Sequence, residues 1–328
     1  MPGRALRHDG RGIQPRAAVR RHVLLCEPGG TRRRESSRRR GALGQHFHPA
    51  SLPSGSRTEN QAEKRTGHRS GNPVTRVALV LGASQGIGRA TALHLNAKGY
   101  VTVLCARSRT ALEEVVEEAG AEKTAHVISG DVTEPSFCEE LAGEVDRRFG
   151  RIDVLVNNAP GPSPGSLDDI RADDVRAAMQ QKLVPYLATV KTAAPVMIRN
   201  GFGRIVNIVG NAGKEPAHGL FLSGLVNAAV ANASKYLASW YAPHAVTVNC
   251  VHPGTVRTRR YDRAMDHLVR TAGIPRADAE DRMRQPIPMD RPGEAHEVAA
   301  VIGFLASDEA SYLTGQQISV DGGQLTCL

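Results

Sequence analysis

Val77-Ala78-Leu79-Val80-Leu81 runs straight into Gly82-Ala83-Ser84-Gln85-Gly86-Ile87-Gly88, and an apolar-periodic stretch, Ile87–Lys98, follows. Five consecutive apolar residues suit a strand buried on both faces. The stretch after the glycines has the spacing of a helix. A glycine-rich turn between a strand and a helix has a definite use. Gly82 permits the sharp turn, Gly86 lets backbone approach a pyrophosphate closely, and Gly88 lets the helix pack against the strand. The helix N-terminus then presents free N–H groups and a positive dipole end. Gly82, Ser84, Gln85, Gly86, Ile87 and Gly88 are therefore the expected phosphate cradle. The competing reading, a merely tight turn, explains one glycine but not three in this place.

The same alternation continues outward from this stretch. Strands are expected at Val77–Leu81, Val101–Cys105, Ala125–Ser129, Ile152–Val156, Arg204–Val209, Ala245–Val251 and Gln317–Val320. Helices are expected at Ile87–Lys98, Ala111–Ala119, Ser136–Arg148, Ala172–Arg199, Leu220–Trp240 and Ala295–Ala306. Strand–helix alternation of this kind gives an α/β fold, a doubly wound parallel sheet with helices on both faces, that is, a Rossmann fold. Residues 160–168 and 257–293 read as loops or short helices over the site, since ligands bind at the carboxyl ends of such strands.

Charge divides the chain near residue 74. Residues 1–73 hold 16 of the 42 Lys and Arg and only 5 of the 33 Asp and Glu. The net charge of +9 thus belongs to this extension, and the remainder is slightly acidic. A polyanion partner is not implied for the folded part. The extension is rich in Arg, Gly, Pro and Ser and is expected to be disordered. Translated upstream sequence, a transit peptide and an Arg-rich nucleic-acid arm all remain open for it. The transit reading is opposed by Glu27, Glu35, Glu59 and Glu63. The domain is expected to span residues 74–328. Five cysteines, at 26, 105, 138, 250 and 327, are scattered without metal-ligand spacing. They suit a reducing, cytoplasmic setting. No run reaches the roughly 18 apolar residues that would span a bilayer.

Beyond the glycine triplet, motifs spread over residues 76–324 resemble the short-chain dehydrogenase/reductases, most nearly the 3-oxoacyl-carrier-protein reductase branch. They are Asp131-Val132, Asn157-Asn158-Ala159 with Pro160 where the family has glycine, Pro253-Gly254-Thr255-Val256-Arg257-Thr258, Asp290-Arg291-Pro292-Gly293 and Asp321-Gly322-Gly323. The resemblance implies that Asp131 and Val132 contact adenine. It implies further cofactor contacts from Asn158 and Ala159, and from Pro253, Gly254, Val256 and Thr258 at the nicotinamide end. The long helices 172–199 and 220–240 resemble those through which the family forms homodimers and homotetramers. At the end of the second strand, Cys105-Ala106-Arg107-Ser108-Arg109 has no acid to bind a ribose 2′-hydroxyl. Arg107 there suits a 2′-phosphate, so NADP(H) is expected over NAD(H). Solvated loop charges are the plain alternative for Arg107 and Arg109.

The catalytic positions depart from the family. The resemblance implies a Ser, a Tyr acid, a Lys four residues later and an Asn on the preceding helix. Those positions fall on Gly210, Ser223, Asn227 and Lys182. Asn and Lys have in effect changed places. Lys182 would keep one positive charge in the site and, if buried, would have a depressed pKa and donate a proton. A lysine snorkelling to solvent is its other reading. Ser223 would hydrogen-bond a substrate oxygen, or cap its helix; Asn227 would serve the site, or be a packing amide. His218 is a second candidate proton donor, or an ordinary loop histidine. The expected function is an NADP(H)-dependent oxidoreductase interconverting a carbonyl and an alcohol on a small-molecule substrate. The alternatives are a nucleotide-binding member without turnover, acting as a partner or regulator, and a non-redox lyase or dehydratase.

Overall fold

The computed structural model describes residues 75–120, 124–162 and 164–327. The expectations for residues 1–73 lie outside the described residues. The first strand, β1 (Val77–Leu81), is buried along its whole length. Val77, Leu79 and Leu81 join one apolar cluster, while Ala78 and Val80 join another on the opposite face. This is the two-residue alternation of an extended chain. Both faces are covered, so no polar residue interrupts the run.

The chain continues through α1 (Gly86–Ala97), β2 (Val101–Ala106), α2 (Arg109–Ala119), β3 (Ala125–Ser129), α3 (Pro135–Phe149) and β4 (Val154–Asn157). Next come α4 (Ala172–Gln181), α5 (Leu183–Asn200), β5 (Gly203–Ile208), α6 (Phe221–Tyr241) and β6 (Val246–Pro253). The last part holds β7 (Val256–Arg257), α7 (Arg259–Ala272), α8 (Arg276–Arg284), β8 (Gly293–Glu294), α9 (Ala295–Ala306) and β9 (Gln317–Val320). Seven strands form one sheet in the order β3-β2-β1-β4-β5-β6-β9, and β7 pairs with β8 apart from it. Every pairing in the large sheet is parallel. One face packs on α1, α2 and α9, the other on α3, α5 and α6. Strand order reverses between β1 and β4, which opens a crevice at their carboxyl ends.

The expected single helix over 172–199 is in fact two. Lys182 leaves helical geometry (φ −133°, ψ −56°) and separates α4 from α5. Pro185 accounts for the break. A proline cannot donate to the carbonyl four residues back, and its ring clashes with that carbonyl, here Gln181. In the first turn of a new helix the same residue is tolerated. The segment 257–293, expected as loops or short helices, holds α7 and α8, joined by an apolar cluster of Tyr261, Met265 and Ala279.

Several buried polar side chains of β4 and β5 are paired with those of the flanking helices. Thr189 Oγ1 donates to Asn157 Oδ1, Asn157 Nδ2 to Asn207 Oδ1, and Asn207 Nδ2 to Ser234 Oγ, each at 2.8 Å. Ser234 Oγ donates in turn to the Val230 carbonyl. This chain of bonds ties α5, β4, β5 and α6 directly beneath the crevice. A satisfied buried network of this kind holds neighbouring elements in one arrangement.

Candidate active site

The glycine turn has the geometry its composition requires. Gly82 and Gly86 have φ of +63° and +54°, a region that side chains with a Cβ rarely occupy. A Cβ on Gly82 would run into the Asn158 carbonyl, and one on Gly88 into the Gly82 carbonyl. Asn158 Nδ2 donates to the Gly82 carbonyl at 3.2 Å and holds the turn against the end of β4. Gln85 is the N-cap of α1, and its side chain makes no capping bond. The first N–H groups of the helix, around Gly86 and Ile87, thus point outward without a partner of that kind, beside partly buried Ser84. Donors without a side-chain cap at a helix N-terminus, beside a turn that leaves no room for a Cβ at Gly82 or Gly88, fit a pyrophosphate.

The residues expected to meet adenine, Asp131 and Val132, follow β3 beside the end of β2. Asp131 accepts from the Thr133 N–H at 3.0 Å and the Thr133 hydroxyl at 2.8 Å. Those bonds from Thr133 hold its carboxyl below the usual range, with Arg107 adding to the effect. Val132 is half-buried against the cluster under β2. Arg107 stands at the end of β2, its side chain 79 % exposed, with Asp131 at 4.0 Å as its ion-pair partner. Arg109 pairs with Glu113 one helical turn on. Arg107 is therefore the arginine there that can turn to a phosphate, whereas Arg109 is a bonded helix residue.

The Pro253–Thr258 segment leaves β6 and returns across the crevice. Gly254 N–H donates to the Val320 carbonyl, and Thr255 N–H to Gln324 Oε1 at 3.0 Å. Val256 is buried in β7. Thr258 is the N-cap residue of α7, and its Cγ2 lies 3.2 Å from where a Cβ on Gly86 would stand. The segment thus closes directly over the glycine turn.

On the other side of the crevice, Lys182 and Asn227 meet. Lys182 Nζ donates to Asn227 Oδ1 at 2.8 Å, and both residues are buried. The snorkelling reading of Lys182 does not survive this burial. Desolvation brings its pKa down to about 7, the positive charge of Arg260 adds to the effect, and Cys250 opposes it weakly. The break at Pro185 matters here, because it turns the lysine inward at the junction of two helices. Ser223 lies one helical turn before Asn227 on α6, on the same face. Its hydroxyl is buried and has no hydrogen-bond partner among the described residues. Gly210 leaves the space that Asn227 occupies, since a Cβ there would sit 3.1 Å from Asn227 Nδ2. His218 lies on an exposed turn before α6; among the described residues, no hydrogen bond ties it to this group.

Two residues outside the expected set enter the site. Arg260, in the first turn of α7, brings Nη1 to 3.1 Å and Nη2 to 3.6 Å from the Cβ position of Gly161. Ser223 Oγ lies 3.7 Å from that same point. His252 is fully buried at the end of β6, with Nδ1 3.4 Å from the Gly210 carbonyl and Nε2 unpartnered among the described residues. Desolvation lowers its pKa to about 4, so the ring is neutral. Its place immediately before Pro253-Gly254 was the sequence signal that could have found it.

Comparison with known proteins agrees with this geometry. A family model described as enoyl-(acyl carrier protein) reductase matches residues 82–324. The chain belongs to the short-chain dehydrogenase/reductase family. It is 42 % identical over 253 residues to the NADPH-dependent reductase BacG of Bacillus subtilis, covering 76 % of this chain and 98 % of that one. It is 34 % identical over 255 residues to the 3-oxoacyl-[acyl-carrier-protein] reductase FabG of Staphylococcus aureus, with coverage of 76 % and 98 %. Among solved structures it resembles YwfH, an NADPH-dependent reductase involved in bacilysin biosynthesis, with a TM-score of 0.74, 40 % identity and coverage of 77 % and 100 %. A tryptophan variant of the actinorhodin polyketide ketoreductase with NADPH matches with a TM-score of 0.73, 30 % identity and coverage of 76 % and 97 %.

Two tyrosines, Tyr186 and Tyr261, stand near this group. Tyr186 is buried under the crevice, but its hydroxyl accepts from the Ala159 N–H at 2.8 Å and donates to the Ile208 carbonyl at 3.2 Å. Burial raises its pKa further. It braces the ends of β4 and β5. Tyr261 is packed between α7 and α8. Among the described residues no helix is long and apolar enough to cross a membrane.

Proposed function

We propose that this short-chain dehydrogenase/reductase is an NADP(H)-dependent oxidoreductase that interconverts a carbonyl and an alcohol, with Lys182 as its proton donor. The observation that carries the reading is the buried Lys182–Asn227 pair at 2.8 Å beside the unpartnered Ser223 hydroxyl. Gly82, Gly86 and Gly88, with Ser84, Gln85 and Ile87, would hold the pyrophosphate. Arg107 would take the 2′-phosphate, and Asp131 and Val132 would flank the adenine. Asn158, Ala159, Pro253, Gly254, Val256 and Thr258 would border the nicotinamide end. When bound, NADPH supplies the hydride. The NADPH dependence of the relatives named above supports this choice of cofactor.

Ser223 Oγ would donate to the carbonyl oxygen and orient it. As the carbonyl carbon gains hydrogen, the electron pair of the broken C=O π bond collects on oxygen, and Lys182 gives that oxygen a proton. A pKa of about 7 suits this task, since the ammonium is then acidic enough to donate and recovers its proton from neutral solvent. Asn227 Oδ1 accepts from Nζ and fixes its direction. In the reverse reaction, neutral Lys182 would take the proton back. His218 is exposed on its turn and, among the described residues, has no hydrogen bond to this group, so Lys182 is the stronger candidate.

A homo-oligomer assembled through α5 and α6 and a cytoplasmic location complete the reading. Val184 and Leu187 on α5, and Leu225, Tyr236 and Trp240 on α6, are exposed apolar side chains that a second copy would cover. The test is a titration of NADPH and NADH, followed by NADPH oxidation with a carbonyl panel. Micromolar NADPH binding, weaker NADH binding and turnover lost in Lys182→Ala are expected. Unchanged kinetics in that variant would remove Lys182 from the mechanism.

A further inference from the structure

Among the described residues the Arg260 side chain forms no ion pair and no hydrogen bond, as is also true of the exposed Arg259, Arg263, Arg270 and Arg282, whereas other arginines of the segment are paired. Arg257 reaches Glu280 and Glu294, Arg276 reaches Asp266, Arg284 reaches Asp281 and Asp290, and Arg291 reaches Glu297. The residue as a whole is exposed, but its guanidinium turns inward against Gly161, and the loss of water there lowers its pKa. Gly161 makes this possible. A side chain at that position would meet both guanidinium nitrogens and the Ser223 hydroxyl.

A guanidinium facing a crevice without an acid is an incomplete arrangement. Its planar fork matches a carboxylate through two parallel hydrogen bonds. Ser223, 5 % exposed and unpartnered, points at the same space and needs an acceptor. The two donors together call for a molecule with an anionic end and a carbonyl end only a few bonds apart. Thr258, two residues before Arg260, touches the glycine turn, so Arg260 stands beyond that turn on the Ser223 side.

We infer that Arg260 is the carboxylate receptor of the substrate site, and that the substrate is a short keto acid whose carbonyl lies on Ser223. This rests on the oxidoreductase reading of the site and narrows its substrate class. Arg260 binds and orients the acid. Its charge also lies close enough to Lys182 to favour the neutral amine, so pairing with a carboxylate would raise the proton affinity of Lys182 as substrate enters.

The experiment is a calorimetric titration of the NADP⁺-loaded protein with 2-oxobutanoate, acetoacetate and 4-oxopentanoate, each against its methyl ester. Wild type should bind at least one acid tighter than its ester by roughly tenfold or more, the scale of one charge-assisted pair. Arg260→Gln should erase that preference and leave NADPH affinity and the melting temperature unchanged, and Arg260→Lys should restore part of it. No acid binding better than its ester would overturn the proposal. So would an Arg260→Gln variant that loses NADPH affinity instead, because Arg260 would then serve a cofactor phosphate. Failure of wild type to bind NADPH at all is a separate result, which removes the oxidoreductase reading. The acid-against-ester comparison in the unloaded protein would still decide the role of Arg260.

Discussion

The two sides of the crevice are built on different principles. The glycine turn and the strands around it hold their ligand site by shape. Gly82 and Gly88 face carbonyl groups that leave no room for a Cβ, and Gly82 and Gly86 have left-handed backbone. The α4–α5–α6 side works by charge and hydrogen bonding. There the buried Lys182 ammonium and the Asn227 amide meet at 2.8 Å. A steric site fixes residue type at each position, because only one residue fits. A charged site fixes the sum of its parts, so the same ammonium can be delivered from a different helix.

The charged side is most sensitive at Lys182. Lys182→Ala should lower turnover by on the order of 10²–10⁴, the range for loss of a positioned proton donor, in single-turnover kinetics with saturating NADPH. The protein should stay folded, since the steric side is untouched. The opposite break is Gly88→Ala. Its Cβ would press on the Gly82 carbonyl, and overpacking of that kind costs about 1–3 kcal/mol in denaturant unfolding. NADPH binding should fail together with stability. A Gly88→Ala protein with full stability and full NADPH affinity would show that the cradle is not steric.

His252 makes the stability of the fold sensitive to acid. Its folded pKa of about 4 lies below the ordinary histidine value near 6.5, so the folded state resists protonation. The unfolded chain binds the proton first as pH falls. Stability is therefore intact above about pH 6.5 and is lost as pH drops toward 4, by an amount on the order of 2 kcal/mol. His252→Asn should flatten that window when urea unfolding is compared at about pH 7 and about pH 4.5. The smallest effect belongs to Gly210→Ser. Its Cβ would stand 3.1 Å from Asn227 Nδ2, so the amide must give by a few tenths of an ångström. A shift of the pH–rate midpoint with little change in melting temperature is expected.

The steric side was legible in the sequence. Unbroken apolar runs such as Val77–Leu81 mark strands covered on both faces, and the glycines stand where only glycine fits. That Lys182 and Asn227 face one another was expected from spacing along two helices, and the structure brings them to 2.8 Å. What stayed hidden depends on pairing in space. The apolar periodicity of residues 172–199 reads as one helix, and Pro185 is the only local mark of the break. The Arg and Asp mixture of residues 257–293 shows no preference as a composition. Only the fold shows that Arg257, Arg276, Arg284 and Arg291 are matched by acids while Arg260 turns into the crevice. Tyr186 is the converse case, a tyrosine beneath the site whose hydroxyl is committed to two backbone groups.

The central claim is that Lys182 is a buried amine poised to exchange a proton near neutral pH. It is tested most directly by following the lysine side-chain NMR signals of the unliganded protein as pH is raised, with Lys182→Met to assign the resonance. A titration of the Lys182 signal centred at about 7 is predicted. A midpoint above about 10, the value of a solvated lysine, would contradict the account.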